Sequence, residues 1–265
     1  MQLPMQLTIY HCAQRFLLLA PTFVLDRSPT PYRRLSATLL IACKEPFHLE
    51  IGDGILIHSQ VALIGPKVLR KRLIAPNSNL AIFDVPIQAP EFSALNGIML
   101  GQPVITPSLE RFAHLLPALA RAFDGLASHA EVRALFKEAI NVLMPAPREE
   151  RPLNPRVAKA IALIDQQPLN SLTLEYLASQ LHLSPSRLRH LFKEETGSSI
   201  RQFSRENAVR RAIALWTQGR SLTDVAHETG LYDVAHLHHA FVEMFGMNPS
   251  TLTDPRSVIL QCVKD

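Results

Sequence analysis

Two short stretches of this chain carry side chains able to do chemistry at helical spacing. In the first, Ser186, Arg189, His190 and Lys193 fall at i, i+3, i+4 and i+7, while Leu188, Leu191 and Phe192 fall on the opposite side of the same helix. A guanidinium at Arg189 can donate bidentately to guanine O6 and N7. Ser186 and His190 can donate to or accept from base edges, and Arg187 and Lys193 can neutralise phosphates. In the second stretch the equivalent stripe holds Ala235, His238, His239 and Val242, with His236 beside it and Leu237, Phe241, Met244 and Phe245 inward. It has no permanent positive charge, so it suits methyl contacts and imidazole hydrogen bonds more than counterion release. The three histidines point in different directions, and no cysteine or carboxylate joins them at ligand spacing, so no metal is expected there.

The elements that must position these stripes repeat. Leu174, Leu177, Ala178 and Leu183 recur 48 residues later as Leu222, Val225, Ala226 and Leu231, and Leu188, Phe192 and Gly197 recur 49 residues later as Leu237, Phe241 and Gly246. Each copy reads helix, short turn, helix. Thr173 caps a short helix ending near Leu181, Ser184-Pro185 starts the next, and Gly197 stops it. In the second copy Ser221 with Asp224 starts the short helix, Gly230 permits the turn, Asp233 caps the following helix and Gly246 ends it. Asn154-Pro155 opens a preceding helix with Val157, Ile161 and Ile164 inward. Between the copies, 198–217 reads as one helix, a rigid spacer that would set two recognition helices about one DNA turn, roughly 34 Å, apart. Trp216 continues its apolar stripe and is read as core.

The double repeat, Phe192-Lys193 with Gly197, the Val225-Ala226…Gly230-Leu231 turn and Phe241…Phe245-Gly246…Pro249 resemble the AraC/XylS family of bacterial transcription regulators over residues 156–253. The resemblance implies double-stranded promoter DNA as partner. It implies base-reading roles for Ser186, Arg189 and His190 in the first unit and Ala235, His236 and His239 in the second, with Arg187, Lys193 and His238 completing the expected DNA-contacting set. The chain departs from the family pattern at Val242, Ala208 and His239, which weakens the second unit. The family commonly adds a cupin-like effector domain and a dimerising helix pair, so the resemblance also implies a homodimer, a small-molecule effector and, for an activator, RNA polymerase.

Upstream, short apolar runs (17–19, 35–42, 54–58, 61–64, 80–85) separated by Pro, Gly and Asn predict many short strands. Ser108 caps a helix through Phe123 that Pro117 should kink, and Ser128 with Glu131 forms a capping box for a second. The stripe Val132, Leu135, Phe136, Ala139 and Leu143 on that second helix has two readings, packing on the β-domain or pairing with its copy in a dimer. The fold class is α+β: a cupin-like β-sandwich or barrel at 1–106, a helical pair at 107–144, a proline-rich linker at 145–155, an all-α domain with two helix-turn-helix units joined by a long helix at 156–253, and a tail at 254–265.

Other chemistry is poorly supported. At 265 residues, 47% apolar, the chain can bury two cores, and its net charge of +4 divides evenly between 1–150 and 151–265, so bulk charge does not locate the DNA-binding half. Cys12, Cys43 and Cys262 are few and scattered, which fits a reducing compartment. The N-terminus lacks a charged signal region, 16–20 is too short for a signal core, and no stretch approaches a membrane span, so a cytoplasmic protein is expected. His48 and His58 lack an adjacent ligand pair, His11-Cys12 lacks an orienting carboxylate, and no phosphate-binding glycine loop appears, so neither cofactor nor enzyme activity is expected. Lys67, Arg70, Lys71 and Arg72 form a basic cluster read as a charge-guarded edge strand, with contact to an anionic effector or a partner subunit as the alternative. The competing readings are an interaction protein whose DNA binding has weakened and a cupin-type metalloenzyme fused to a DNA module.

Overall fold

The computed structural model describes residues 7–12, 15–26, 31–144, 152–216, 218–246 and 258–262. The chain divides into two compact units, Met1–Glu149 together with Val242–Asp265, and Glu150–Phe241. The first unit contains β1 (Leu7–Cys12), β2 (Arg15–Ala20), β3 (Phe23–Leu25), β4 (Ala37–Ala42), β5 (Phe47–Ile51), β6 (Ile55–Ser59), β7 (Val61–Ile64), β8 (Arg70–Ala75), β9 (Leu80–Val85), α1 (Phe92–Ile98) and β10 (Val104–Ile105). A 3-10 helix (Leu109–Leu115), α2 (Leu116–Phe123), α3 (His129–Asn141) and the C-terminal strand β11 (Val258–Cys262) complete it.

The strands form a seven-stranded sheet, β10-β7-β4-β9-β2-β1-β11, and a four-stranded sheet, β3-β8-β5-β6. Strands β4, β7 and β9 are buried at every position. A strand covered on both faces has no position for a polar alternation, which is why these runs read as apolar apart from Thr38 and Asp84. One face of the large sheet supplies Leu17, Leu39, Leu63 and Phe83 to a core with Leu95 of α1, Phe112 and Leu119, and Val132, Leu135, Phe136, Ala139, Ile140 and Leu143 of α3 or its end. Phe83 meets Phe136 edge to face at 5.5 Å. Arg15 of β2 grips Glu91 through two 2.8 Å bonds at the start of α1.

The two sheets are also joined by polar groups. Arg70 of β8, 3% exposed, donates to Thr38 of β4 at 2.9 Å. Arg34 lies 3.4 Å from Asp84 of β9, and Ser36 donates to the same carboxylate oxygen. This corrects the edge-strand reading of the basic cluster. Strand β8 lies between β3 and β5, Arg70 is buried, and Arg72 pairs with Asp26 at 2.7 Å.

Local signals act as their chemistry dictates. Pro117 sits at the start of α2 and separates it from the preceding 3-10 turn. Ser128 and Glu131 form the reciprocal capping box, and the Ser128 backbone N–H, then its hydroxyl, hold the Glu131 carboxyl below the usual carboxylate range. Burial pushes the Cys43 thiol up to about 11, so it is not a nucleophile at neutral pH. Two expectations change. Helix α1 arises inside the segment read as strands, and the tail at 254–265 contains β11, which pairs in parallel with β1 from Leu7↔Val258 to His11↔Cys262. Linker residues 145–151 lie outside the described residues.

The Arg34–Asp84 pair sets a stability prediction. With side chains 8% and 3% exposed, removing the carboxylate strands a buried guanidinium. Asp84→Ala should cost about 3–5 kcal/mol, read by thermal denaturation as a fall of roughly 10 °C; an unchanged midpoint would refute it.

Candidate nucleic-acid interface

The second unit begins with α4 (Pro155–Gln166), whose N-cap Asn154 accepts from the Arg156 backbone N–H. A 3-10 turn (Leu169–Ser171) leads to α5 (Leu174–Gln180), capped by Thr173, and α6 (Pro185–Thr196), capped by Ser184 and stopped by Gly197 at φ 66°. Then come α7 (Ile200–Trp216), α8 (Leu222–Thr229), capped by Ser221 and stopped by Gly230, and α9 (Val234–Phe245). Residues 242–245 of α9 belong to the first unit and residues 235–239 to the second.

Helix α6 is the better furnished of the two recognition helices. Leu188, Leu191 and Phe192 are buried, and Phe192 meets Phe203 of α7 edge to face at 5.4 Å. That seating leaves Ser186, Arg187, Arg189, His190 and Lys193 exposed. Among the described residues no ion pair engages Arg187, Arg189 or Lys193, so the three cations face solvent with their donors available. The stripe that the sequence assigns to DNA is therefore exposed along its length among the described residues.

Helix α9 presents a smaller and more constrained surface. Leu237, Phe241, Met244 and Phe245 are buried, Ala235 and His239 are exposed, and His236, His238 and Val242 are half-buried. Asp233 caps the helix by accepting the His236 backbone N–H at 2.6 Å. The Tyr232 backbone N–H donates to His236 Nδ1 at 3.4 Å, which ties the ring to the turn before α9. His238 and His239 lie 6.4 Å apart and nearly perpendicular, not converging as ligands would. Among the described residues no group of three or more His, Cys, Asp or Glu side chains could hold a metal ion.

Sequence reasoning passed over Tyr232. Its side chain is 80% exposed and stacks on His236 with ring centroids 5.6 Å apart, so it belongs to the surface that α9 offers. An aromatic residue in a turn directly after Gly230-Leu231 was the available signal.

Spacer α7 has 17 residues and spans about 25 Å. It is buried on several sides, at Phe203, Ala208, Val209, Ala212 and Ile213, and it holds an Arg210–Glu206 pair at 3.2 Å with Arg210 3% exposed. Arg211 donates to the Gln167 carbonyl beyond α4. Trp216 is half-buried at the end of the helix.

The α3 stripe has a different fate from the DNA stripes. Val132, Leu135, Phe136, Ala139 and Leu143 all lie inside the core of the first unit, against its own sheet and helices. The packing reading accounts for all five and replaces the dimer seam for these side chains, because a residue at 0–5% exposure has no surface left for a second copy.

Comparison with known proteins agrees with this arrangement. Residues 177–254 match a family model described as a helix-turn-helix domain. The chain is similar to the HTH-type transcriptional regulator GadX of Escherichia coli O6:H1, 29% identical over 141 residues, which covers 53% of this chain and 48% of that protein. It is also similar to the arabinose operon regulatory protein of Escherichia coli K12, 26% identical over 145 residues, covering 52% and 50%. The matched part thus spans about half the length of these curated relatives. Among solved structures, ToxT from Vibrio cholerae O395 shares the fold with a TM-score of 0.57 at 11% identity, covering 92% of this chain and 100% of that one. A ToxT structure with unsaturated fatty acid bound gives 0.53 at 12% identity, covering 86% and 89%.

Gly230 tests the geometry of the second turn. It has φ 76°, and a Cβ there would run into the backbone N of Leu169 and of Asn170. Gly230→Ala should lower the thermal midpoint by several degrees, since left-handed strain alone costs about 1–3 kcal/mol. An unaltered melting curve would contradict this packing.

Proposed function

Because its C-terminal helix-turn-helix domain is of the AraC/XylS family of transcription regulators, we propose that this chain is a sequence-specific, DNA-binding transcription regulator. One observation carries the reading: the exposed stripe of Ser186, Arg187, Arg189, His190 and Lys193 on a helix clamped by buried Leu188, Leu191 and Phe192. Arg189 reads a guanine, Ser186 and His190 read adjoining base edges, and Arg187 and Lys193 hold phosphates. Helix α9 then adjusts which sites are chosen through Ala235, His236, His238 and His239, with Tyr232 beside them.

The N-terminal β-domain senses a small molecule, and its occupancy changes how the DNA-binding domain is presented. Such coupling requires different effector affinity in the two states. Support comes from the fold shared with ToxT, one of whose structures carries an unsaturated fatty acid. The working form is a homodimer in the cytoplasm, and an activating role would bring RNA polymerase as partner. Any dimer contact made by α3 falls to its exposed residues, His129, Ala130, Ala134, Lys137, Glu138 and Asn141. Among the described residues no helix is long and apolar enough to cross a membrane. The reading assigns the chain no catalytic step; the relatives reported above are transcription regulators.

Gel-shift titration against the upstream region of the chain's own gene tests the proposal. Arg189→Ala should weaken specific binding about 10- to 100-fold, from the 1–3 kcal/mol carried by a bidentate base contact. Lys193→Ala should weaken specific and non-specific duplexes alike and reduce the salt slope by about one. Equal binding by wild type and Arg189→Ala on every duplex would reject base reading by α6.

A further inference from the structure

The outer face of the four-stranded sheet carries a pair of side chains that DNA binding leaves unused. The Gly52-Asp53-Gly54 turn, with both glycines at positive φ, sets Ile51 opposite Ile55, and the same register sets His48 opposite His58. The two imidazoles stack with centroids 4.4 Å apart and planes at 19°. Both side chains are exposed. Ile74 of β8 lies opposite His48 on its other side, while β6 is the sheet edge, so the pair is flanked by an aliphatic residue and open beyond His58.

The geometry points to a two-imidazole binding site for a divalent transition-metal ion at His48 and His58. Imidazole nitrogen suits Cu²⁺, Ni²⁺ and Zn²⁺, whereas Mg²⁺ and Ca²⁺ require oxygen donors. Two rings fixed at facing positions of paired strands act as a chelate. Once one nitrogen has bound, the second is at high effective concentration, and strand pairing has already met most of the ordering cost. Turning the side chains about χ1 and χ2 opens the stack found here and lets one nitrogen of each ring point to a shared ion about 2.0–2.1 Å from both, with water completing the coordination shell. Binding exchanges a ring stack for two coordinate bonds and clips edge strand β6 to β5. It therefore stabilises the first unit by mass action.

The site stands apart from the DNA reading and from any interior, catalytic position. A competing histidine pair among the described residues is His236 with His239, three residues apart on α9. Calorimetric titration of untagged full-length protein with CuCl₂, ZnCl₂ and MgCl₂, alongside melting curves in EDTA and in each salt, distinguishes the two. One equivalent of Cu²⁺ should bind more tightly than Zn²⁺, and Mg²⁺ should not bind. His48→Ala and His58→Ala should each lose about 100-fold in Cu²⁺ affinity and lose the metal-induced rise in melting temperature, with unchanged melting in EDTA. The double variant His236→Ala/His239→Ala should bind as wild type. Absence of binding, wild-type affinity in both β-strand variants, or transfer of the loss to the α9 variant would overturn the assignment.

Discussion

Burial of Phe192 against Phe203 fixes where recognition helix α6 sits on spacer helix α7. Helix α6 is only 12 residues long and carries Arg187, Arg189 and Lys193 with few compensating charges, so isolated in water it would be marginal. It persists because Leu188, Leu191 and Phe192 have somewhere to go. The same burial determines its rotation, and therefore which residues are left outside. A polar stripe that reads a duplex is the necessary complement of an apolar stripe that has been spent.

The second unit uses the same construction with different contents. Helix α9 buries Leu237, Phe241, Met244 and Phe245, and what remains outside is small, aromatic or titratable and never permanently cationic. His236 is held by the turn before it and stacked against Tyr232, which fixes the orientation of its ring. On the proposed function, phosphate attraction resides in α6, while α9 contributes shape and hydrogen bonding. In the first unit, α3 inverts the pattern. Its apolar stripe is longer and meets its own sheet, so it supplies core and not an interface.

Local signals were legible in the sequence because capping and turn formation act within a few residues. The caps at Ser128, Asn154, Thr173, Ser184, Ser221 and Asp233 could be read directly, as could the break at Pro117 and the stops at Gly197 and Gly230. The repeat supplied the arrangement of the DNA-binding domain. Whatever depended on which strands become neighbours was hidden. Arg34 and Asp84 are 50 residues apart and meet only because β4, which follows Arg34, pairs with β9 in the large sheet. Arg70 read as surface charge because nothing local shows that β8 is an inner strand. His48 and His58 read as isolated histidines ten residues apart until the antiparallel register placed them face to face. Strand β11 lies within the segment read as tail, and its partner β1 is about 250 residues earlier in the sequence.

The central claim is that the two helix-turn-helix units are unequal, with α6 supplying affinity and α9 modulating choice. Selection of bound sequences from a pool of randomised duplexes measures this directly. The account predicts a bipartite motif: one strongly constrained block containing an invariant guanine, and a weaker block about 10 base pairs away. No enriched motif, or a motif whose strong constraint lies in the block contacted by α9, would contradict it.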